Sequence, residues 1–367
     1  MTLPNPRYEL DLRAVKNNYL KLRHHLPKHV DIFCCLKKNA YGCGARSVAS
    51  ALDHAGAVGF AASTLADAAE IRSAVFDKPI LLYGGTLVGQ VDTVERLDLI
   101  ITIGSTEEAL EWNKVLQHPR NVFIKVDVGL LRFGFSNNDL AVFLNDHRQI
   151  CSNLNIIGVY THLSEKADMS VSDVKSQQDV FDKAVVQCRA CLPELKHVCA
   201  SSTETVFSHR MLDYNMVDVG SLLYGLASPD VFSSMELESV VSKLVARITF
   251  IKTVSPNAPN HIDLSSDVKR IGIVNFGWGD GFPRHVSSNA FVLVRGKPVG
   301  VLGPVHLEQI RLDLTDIDAE VGDEVVILGH QNGSEISTQD LAVQWSVSIY
   351  EIFCNIRPHI KKIYRFD

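Results

Sequence analysis

The chain has 367 residues, 46% hydrophobic and 21% charged, an ordinary soluble globular composition with length for one large domain and a smaller one. A net charge of −6 gives no basic footprint for nucleic acid, and no apolar run is long enough to span a bilayer. Residues 1–7 lack the apolar stretch of a secretory signal and the eight cysteines are scattered, so a reducing, cytoplasmic setting is expected.

In chain order, residues 32–36 form an apolar run, and residues 31–36 read as a buried strand. Directly after it comes Lys37-Lys38-Asn39-Ala40-Tyr41-Gly42-Cys43-Gly44. An amine held in a dry pocket at the end of a strand can lose its proton and condense with a carbonyl. The glycines that follow let backbone approach an anion. Two lysines before a glycine turn are also a common solvated loop, so this stretch becomes specific only with the rest of the chain.

Further strands are predicted over residues 58–61, 79–83, 99–103, 122–126, 156–160, 197–200 and 216–219. Helical patterns fall between most of them, over 47–55, 65–76, 106–116, 139–147, 174–188 and 205–210. Strand–helix alternation implies a parallel sheet with helices outside, and about eight such units make a closed (β/α)8 barrel. An open doubly wound sheet is the alternative, but no GxGxxG turn follows the first strand. Cys34-Cys35 lie in a strand-like core run. Cys188 and Cys191 have CxxC spacing but sit in a helical pattern with no second pair, which favours packing over zinc or redox chemistry.

The pattern changes after about Ser228. Residues 244–254, 270–274, 290–294 and 324–328 alternate and are rich in β-branched side chains, and Gln331-Asn332-Gly333 suits a hairpin turn. The expected organisation is a barrel over residues 1–228, then a mainly β domain over 229–367 with which the first residues could pair.

In a barrel, functional groups collect at the C-terminal ends of strands. Lys37 stands there, as do Lys125 with Asp127 and Arg132 beyond it, His162, Ser201 and Ser202, and Gly220 and Ser221 ahead of Tyr224-Gly225. Hydroxyls and backbone N–H groups at helix starts make a phosphate site. With a lysine and a ring-facing histidine they suggest pyridoxal 5′-phosphate. Taken singly, His162 reads equally as a core histidine, and Lys125 with Asp127 as a surface pair.

With these residues in place, nearly the whole chain resembles the alanine racemases, fold type III pyridoxal-phosphate enzymes. Their KANAYGHG-like motif matches residues 37–44, which makes Lys37 the Schiff-base lysine and Tyr41 a phosphate ligand; Lys38 and Cys43 depart from it. Their KxDTGMxRxG motif matches residues 125–134 and implies that Arg132 contacts the cofactor's phenolic oxygen beside Lys125. Thr161-His162 matches the histidine that stacks on the ring. Ser202 takes the place of the phosphate-binding serine, although the usual ANSA reads Ala200-Ser201-Ser202-Thr203. Ile349-Tyr350-Glu351-Ile352 resembles the INYE segment, so Tyr350 would bind phosphate. The resemblance also implies a head-to-tail homodimer with shared active sites.

The departures fall where the racemases do their chemistry. The NMVRxG motif reads Asn215-Met216-Val217-Asp218-Val219-Gly220. The family arginine at that place keeps the ring nitrogen unprotonated, whereas Asp218 would favour the protonated ring and a stronger electron sink; a salt bridge elsewhere is the other fate for this carboxylate. GYADG reads Gly277-Trp278-Gly279-Asp280-Gly281, and the missing tyrosine is the family's second base. Trp278 offers only an indole N–H, a donor that accepts no proton. GRxCMDQ reads Gly303-Pro304-Val305-His306-Leu307-Glu308-Gln309. His306 brings an imidazole, a side chain suited to general acid–base work, and with Glu308 at i, i+2 on a strand it would share a face. Such a pair resembles the metal ligands of related D-threonine aldolases and D-serine dehydratases, but two ligands are too few for a metal site. The VSYG loop is replaced by Asn260-His261-Ile262-Asp263-Leu264.

Two enzyme readings follow. One is an amino-acid racemase or epimerase on a non-alanine substrate, with His306 as second base opposite Lys37. The other is one-base chemistry at a Cα carbanion or quinonoid (aldol or transaldol cleavage, alkylation or decarboxylation), favoured by Asp218 and Trp278. A pyridoxal-phosphate-binding protein without turnover is a third, weakened by the β domain.

Overall fold

A computed structural model of the chain describes residues 5–164, 171–201, 214–255 and 264–366. The chain divides into two compact units: Val15–Ala40 with Gly44–Leu237, and Tyr41–Cys43 with the residues up to Ala14 and those from Glu238 onward.

The first strand, β1 (Arg7–Asp11), belongs to the second unit. The first unit is a closed barrel of eight strands: β2 (Asp31–Cys35), β3 (Gly59–Ala62), β4 (Ile80–Leu82), β5 (Leu99–Ile103), β6 (Arg120–Lys125), β7 (Leu154–His162), β8 (His197–Ser201) and β9 (Met216–Val219). All neighbours run parallel, and β9 closes onto β2 from Asp31↔Met216 to Cys34↔Val219. The eight predicted strands are these eight. Their continuous apolar runs arise because a barrel strand is buried on both faces; every residue of β5 is buried.

Helices Ala45–His54, Leu65–Ala74, Thr106–Val115, Asn137–Ile150 and Val171–Cys191 alternate with the strands. Three start on hydroxyl caps: Thr64, Ser105 and Ser136 accept the N–H of Asp67, Glu108 and Asp139. Cys188 and Cys191 lie in the last of the five, and Cys34 and Cys35 are buried. The predicted helix over 205–210 lies outside the described residues. Inside the barrel, Phe33, Leu81, Ile100, Phe123, Ile157, Tyr160 and Met216 form one cluster. Two glycines make room for its rings: a Cβ on Gly59 would lie 2.5 Å from Phe33, and one on Gly158 would lie 2.3 Å from Phe123. Among the described residues no helix is long and apolar enough to cross a membrane.

The second unit holds a nine-stranded sheet. Its later strands are β10 (Val241–Thr253), β11 (Arg270–Val274), β12 (Phe291–Val294), β13 (Lys297–Leu302), β14 (Ile310–Asp313), β15 (Glu324–Gln331), β16 (Ser334–Ile336) and β17 (Lys361–Arg365). The order is β16-β15-β12-β13-β14-β11-β10-β1-β17. The Asn332-Gly333 turn joins β15 to β16 with both residues at positive φ (47° and 85°), as a two-residue hairpin of this twist requires. Hydrophobic patterning overlooks β13, with its Pro298 and Gly300, and β17, with two lysines at the sheet edge. It also overlooks helices Thr338–Trp345 and Ile349–Asn355.

β1 escapes patterning for a different reason: it buries a charged pair. Arg7 and Glu9 are 4% and 2% exposed and meet at 2.7 Å. Arg7 also reaches Glu324 at 2.7 Å, Lys243 reaches Glu324 at 3.0 Å, and Arg365 of β17 closes on Glu9. Removing one member would strand a buried charge, which costs about 3–5 kcal/mol. Glu9→Ala is therefore expected to lower the stability of the sheet unit by that order, read as a fall in the urea midpoint by far-UV circular dichroism; a fall within error would show the pair to be dispensable.

Candidate active site

Lys37 leaves the C-terminal end of β2 half-buried. The next four residues, Lys38, Asn39, Ala40 and Tyr41, all have φ between 52° and 56°, a left-handed turn without glycine. Left-handed backbone costs an L-residue about 1–2 kcal/mol. The compensation is Asp67, buried at 7% exposure. Its two carboxylate oxygens accept the N–H of Lys38 at 3.0 Å and of Asn39 at 2.7 Å. Asn39 in turn accepts the N–H of Ala45 at 2.8 Å, where the first barrel helix begins.

At the end of β6, Lys125 sits with its Nζ 4.7 Å from the centre of the Tyr160 ring. Burial lowers its pKa to about 8, against the pull of Asp218. It is not half of a surface pair: Asp127 uses its carboxylate to accept the N–H groups of Gly129 (3.1 Å) and Leu130 (2.9 Å). These bonds shape the loop that carries Arg132. The loop is closed by Asp127 N–H to Phe135 and Phe135 N–H to Lys125, both at 2.9 Å. Phe133 fastens it to the barrel rim, its ring lying over Gly84 and Gly104, where a Cβ would come within 2.2 Å and 2.7 Å. Arg132 itself is exposed.

His162 ends β7 and is exposed, which rules out the core-histidine reading. Partial desolvation lowers its pKa first; Asp218 opposes this, and Lys125, Lys37 and Arg132 add to the lowering. The imidazole therefore feels all three cations and the one carboxylate. Asp218 lies in β9, paired with Phe33. Its Oδ2 accepts a hydrogen bond from the Tyr83 hydroxyl at 2.7 Å, and the Cys199 thiol stands 3.9 Å from Oδ1. Gly220 and the buried Ser221 follow β9 and open the short helix Ser221–Tyr224. The Tyr224 hydroxyl donates to the Cys35 carbonyl at 3.2 Å, tying that turn to the strand that presents Lys37. Ser202 lies outside the described residues, as do residues 260–263 of the altered loop, and Ser201 ends β8.

The remaining predicted residues belong to the sheet unit. Gly42, at φ +83°, lies against the Phe353 carbonyl, to which a Cβ would come within 2.3 Å. The Tyr364 hydroxyl donates to the Cys43 carbonyl at 3.0 Å. The segment Tyr41–Cys43 thus meets helix Ile349–Asn355, the helix that carries Tyr350, at Gly42. Trp278 and His306, 28 positions apart in the chain, are joined: Trp278 N–H donates to the His306 carbonyl at 2.9 Å, and Gly279 N–H to Leu307 at 2.8 Å. Asp280 braces the tryptophan loop, accepting Gly277 N–H and meeting His359 Nε2, both at 2.8 Å. Trp278 and His306 are both exposed. The strand expected under His306 and Glu308 is not there. His306 N–H bonds to the Gln309 carbonyl at 3.0 Å, so these residues form a turn ahead of β14 and share no strand face. Among the described residues no cluster of three or more His, Cys, Asp or Glu could hold a metal ion.

Sequence reasoning missed Asp67, Tyr83, Tyr160 and Cys199. Tyr83 was within reach, since it ends a predicted strand ahead of Gly84-Gly85. Asp67 was not, because its part is to accept backbone N–H groups 28 and 29 residues away. Among the described residues, the barrel mouth brings three cations and an imidazole to the carboxylate of Asp218. That donor set fits a phosphate-bearing pyridine ring with a carbonyl for Lys37.

Comparison with known proteins agrees. The model for the N-terminal domain of alanine racemase matches residues 10–228, and that for its C-terminal domain matches residues 241–364. The alanine racemase of Halothermothrix orenii is 31% identical, over 97% of this chain and 96% of that protein. Among solved structures, the alanine racemase of Clostridium difficile 630 has a TM-score of 0.89 at 25% identity, covering all of this chain and 97% of that one. The fold is also that of the Bartonella henselae alanine racemase, solved with covalently bound pyridoxal phosphate (TM-score 0.83, 22% identity, 99% of this chain and 100% of that one). The chain belongs to the alanine racemase family, fold type III enzymes whose cofactor is pyridoxal 5′-phosphate.

Proposed function

We propose that this protein is an amino-acid racemase or epimerase acting on a substrate other than alanine, with Lys37 and His306 as its two bases. The observation that carries the reading is the backbone pairing of Trp278 with His306. Where the family motif has a catalytic tyrosine this chain has Trp278, and an imidazole stands on the segment hydrogen-bonded to it. Lys37, Lys125, Arg132, His162 and Asp218 would hold the cofactor, with Tyr41, Ser202, Gly220, Ser221 and Tyr350 on its phosphate. Bound there, pyridoxal 5′-phosphate supplies an electron sink for the pair left at Cα when a proton departs. Lys37 Nζ moves the Cα proton on one face and His306 on the other. Trp278 fills the tyrosine's place with apolar surface and an N–H. We infer a homodimer in which the partner supplies Trp278 and His306, as the family resemblance implies.

A second reading has its own support. Asp218 is held by Tyr83, and a carboxylate at the ring nitrogen would stabilise negative charge at Cα long enough for a reaction needing Lys37 alone, such as aldol cleavage, alkylation or decarboxylation.

Hydrogen exchange in D2O separates the two readings. Cofactor-loaded protein is offered amino acids, and Cα deuterium is read by NMR with the product's configuration. Racemisation puts deuterium at Cα with inversion, Lys37→Ala abolishes it, and His306→Asn cuts inversion about 10²–10⁴-fold. Deuterium with retention alone would favour one-base chemistry, and neither exchange nor a spectral change with any amino acid would sink both readings.

The shared site is open to a mixing experiment. Lys37→Ala and His306→Ala proteins, each inactive alone, are expected to recover part of the activity when unfolded and refolded together; no recovery would count against donation in trans.

Lys125 makes a prediction about pH. Its pKa is lowered to about 8 from the usual 10.5. Between those values the unfolded chain binds more protons than the folded one, so folding gains stability as pH rises. The cost of burying the charged amine is full below about pH 8 and fades toward the ordinary lysine value. Lys125→Met in the cofactor-free protein is therefore expected to raise the melting temperature near neutral pH, with the gain shrinking toward about pH 10. A difference independent of pH would show that Lys125 is not desolvated.

A further inference from the structure

We propose that Tyr83 is the positioning residue for Asp218, holding its carboxylate in one orientation for the cofactor ring. The inference rests on the reading that Asp218 meets the ring nitrogen, and adds a residue to which neither the motifs nor that reading gives a part.

The geometry is a polar string across the barrel. Tyr83 follows β4, and its hydroxyl donates to Asp218 Oδ2 on β9 at 2.7 Å, between residues 135 apart in the chain. The other oxygen has the Cys199 thiol of β8 at 3.9 Å. Both carboxylate oxygens are thus met by donors, one from the neighbouring strand β8 and one from across the barrel. Tyr83 is itself fixed. Its ring centre lies 6.0 Å from that of Tyr160 on β7, tilted by 40°, and it packs against the barrel's apolar cluster. Tyr160 shares a hydrogen bond with Thr102 of β5 at 3.2 Å, and Thr102 donates to the Leu82 carbonyl, next to Tyr83, at 2.8 Å. The string therefore returns to the strand it started from.

The chemistry runs one way. Burial first, and then the negative charge of Asp218, push the Tyr83 phenol well above its usual range. It stays protonated and can only donate to the carboxylate. A hydrogen bond to the charged form favours that form. A carboxylate held in one orientation meets a pyridine nitrogen more firmly than one that turns between partners. Phenylalanine at position 83 would keep the packing on Tyr160 and remove only the donor.

The test compares Tyr83→Phe, Asp218→Asn and the double variant, each loaded with ¹⁵N-ring-labelled pyridoxal 5′-phosphate. Two quantities are read: the ring-nitrogen chemical shift across pH, and the dissociation constant of the cofactor. Thermal unfolding confirms that each variant is folded. Tyr83→Phe is expected to move the ring-nitrogen signal in the same direction as Asp218→Asn, by less, and to weaken cofactor binding about tenfold. The double variant is expected to be no weaker than Asp218→Asn, since Tyr83 acts through Asp218. If Asp218→Asn moves the signal and Tyr83→Phe leaves signal and affinity unchanged, the inference fails while the reading of Asp218 stands. Additive losses in the double variant also overturn it. An unmoved signal in Asp218→Asn defeats the reading of Asp218 and this inference with it.

Discussion

The Asp67 carboxylate is the contact on which the site depends. Four successive L-residues after Lys37 are wound left-handed, at about 1–2 kcal/mol each. Two backbone N–H groups donate to the one buried carboxylate, and hydrogen bonds to a charged group contribute about 1.5–3 kcal/mol each. The two sums are of the same order, so the turn persists because Asp67 holds it. The turn releases the chain from the barrel at Lys37 and delivers Tyr41–Cys43 to the sheet unit, where Gly42 lies against the Phe353 carbonyl. One carboxylate thus governs where the amine of Lys37 and the side chain of Tyr41 begin.

Charge organises the barrel mouth. Lys37, Lys125 with Arg132, and His162 come from three strand ends, as the parallel barrel dictates, and the carboxylate of Asp218 acts on both Lys125 and His162. Burial and mutual repulsion lower the pKa values of Lys125 and His162, while Asp218 pulls them back. A site with this excess of cations favours a ligand carrying two negative charges, which is what a phosphate ester brings. The family arginine in place of Asp218 would add one more cation. This chain has a carboxylate there instead, and supplies a phenol and a thiol to hold it.

The sheet unit shows how Trp278 and His306 come to be neighbours. The segment 277–281 and the turn at His306 are linked by backbone hydrogen bonds, and a Cβ on Gly277 would lie 2.4 Å from the His306 carbonyl. Only glycine allows that approach. Substitution at Trp278 and substitution at His306 therefore alter one small surface, although they are far apart in the sequence.

Much of this was legible in the sequence. The eight barrel strands were found because strands buried on both faces are written as unbroken apolar runs. Lys37, Lys125, Arg132 and His162 were found because barrel chemistry sits at strand ends, and the motifs added their parts. β1 was hidden by its buried Arg7–Glu9 pair, since charges inside a sheet break the pattern that patterning detects. The strand expected beneath His306 proved to be a turn, because the bond from its N–H to Gln309 is a local choice that alternation does not report. Amino-acid order alone determined the fold class, the cofactor and the identity of the departing residues. Tertiary structure alone decided that Tyr83 holds Asp218, that Asp67 holds the lysine turn and that Trp278 adjoins His306. Each of these is a contact of a few ångströms between residues 28 to 135 positions apart, and hydrogen-bond geometry across such a gap leaves no periodic trace in a sequence.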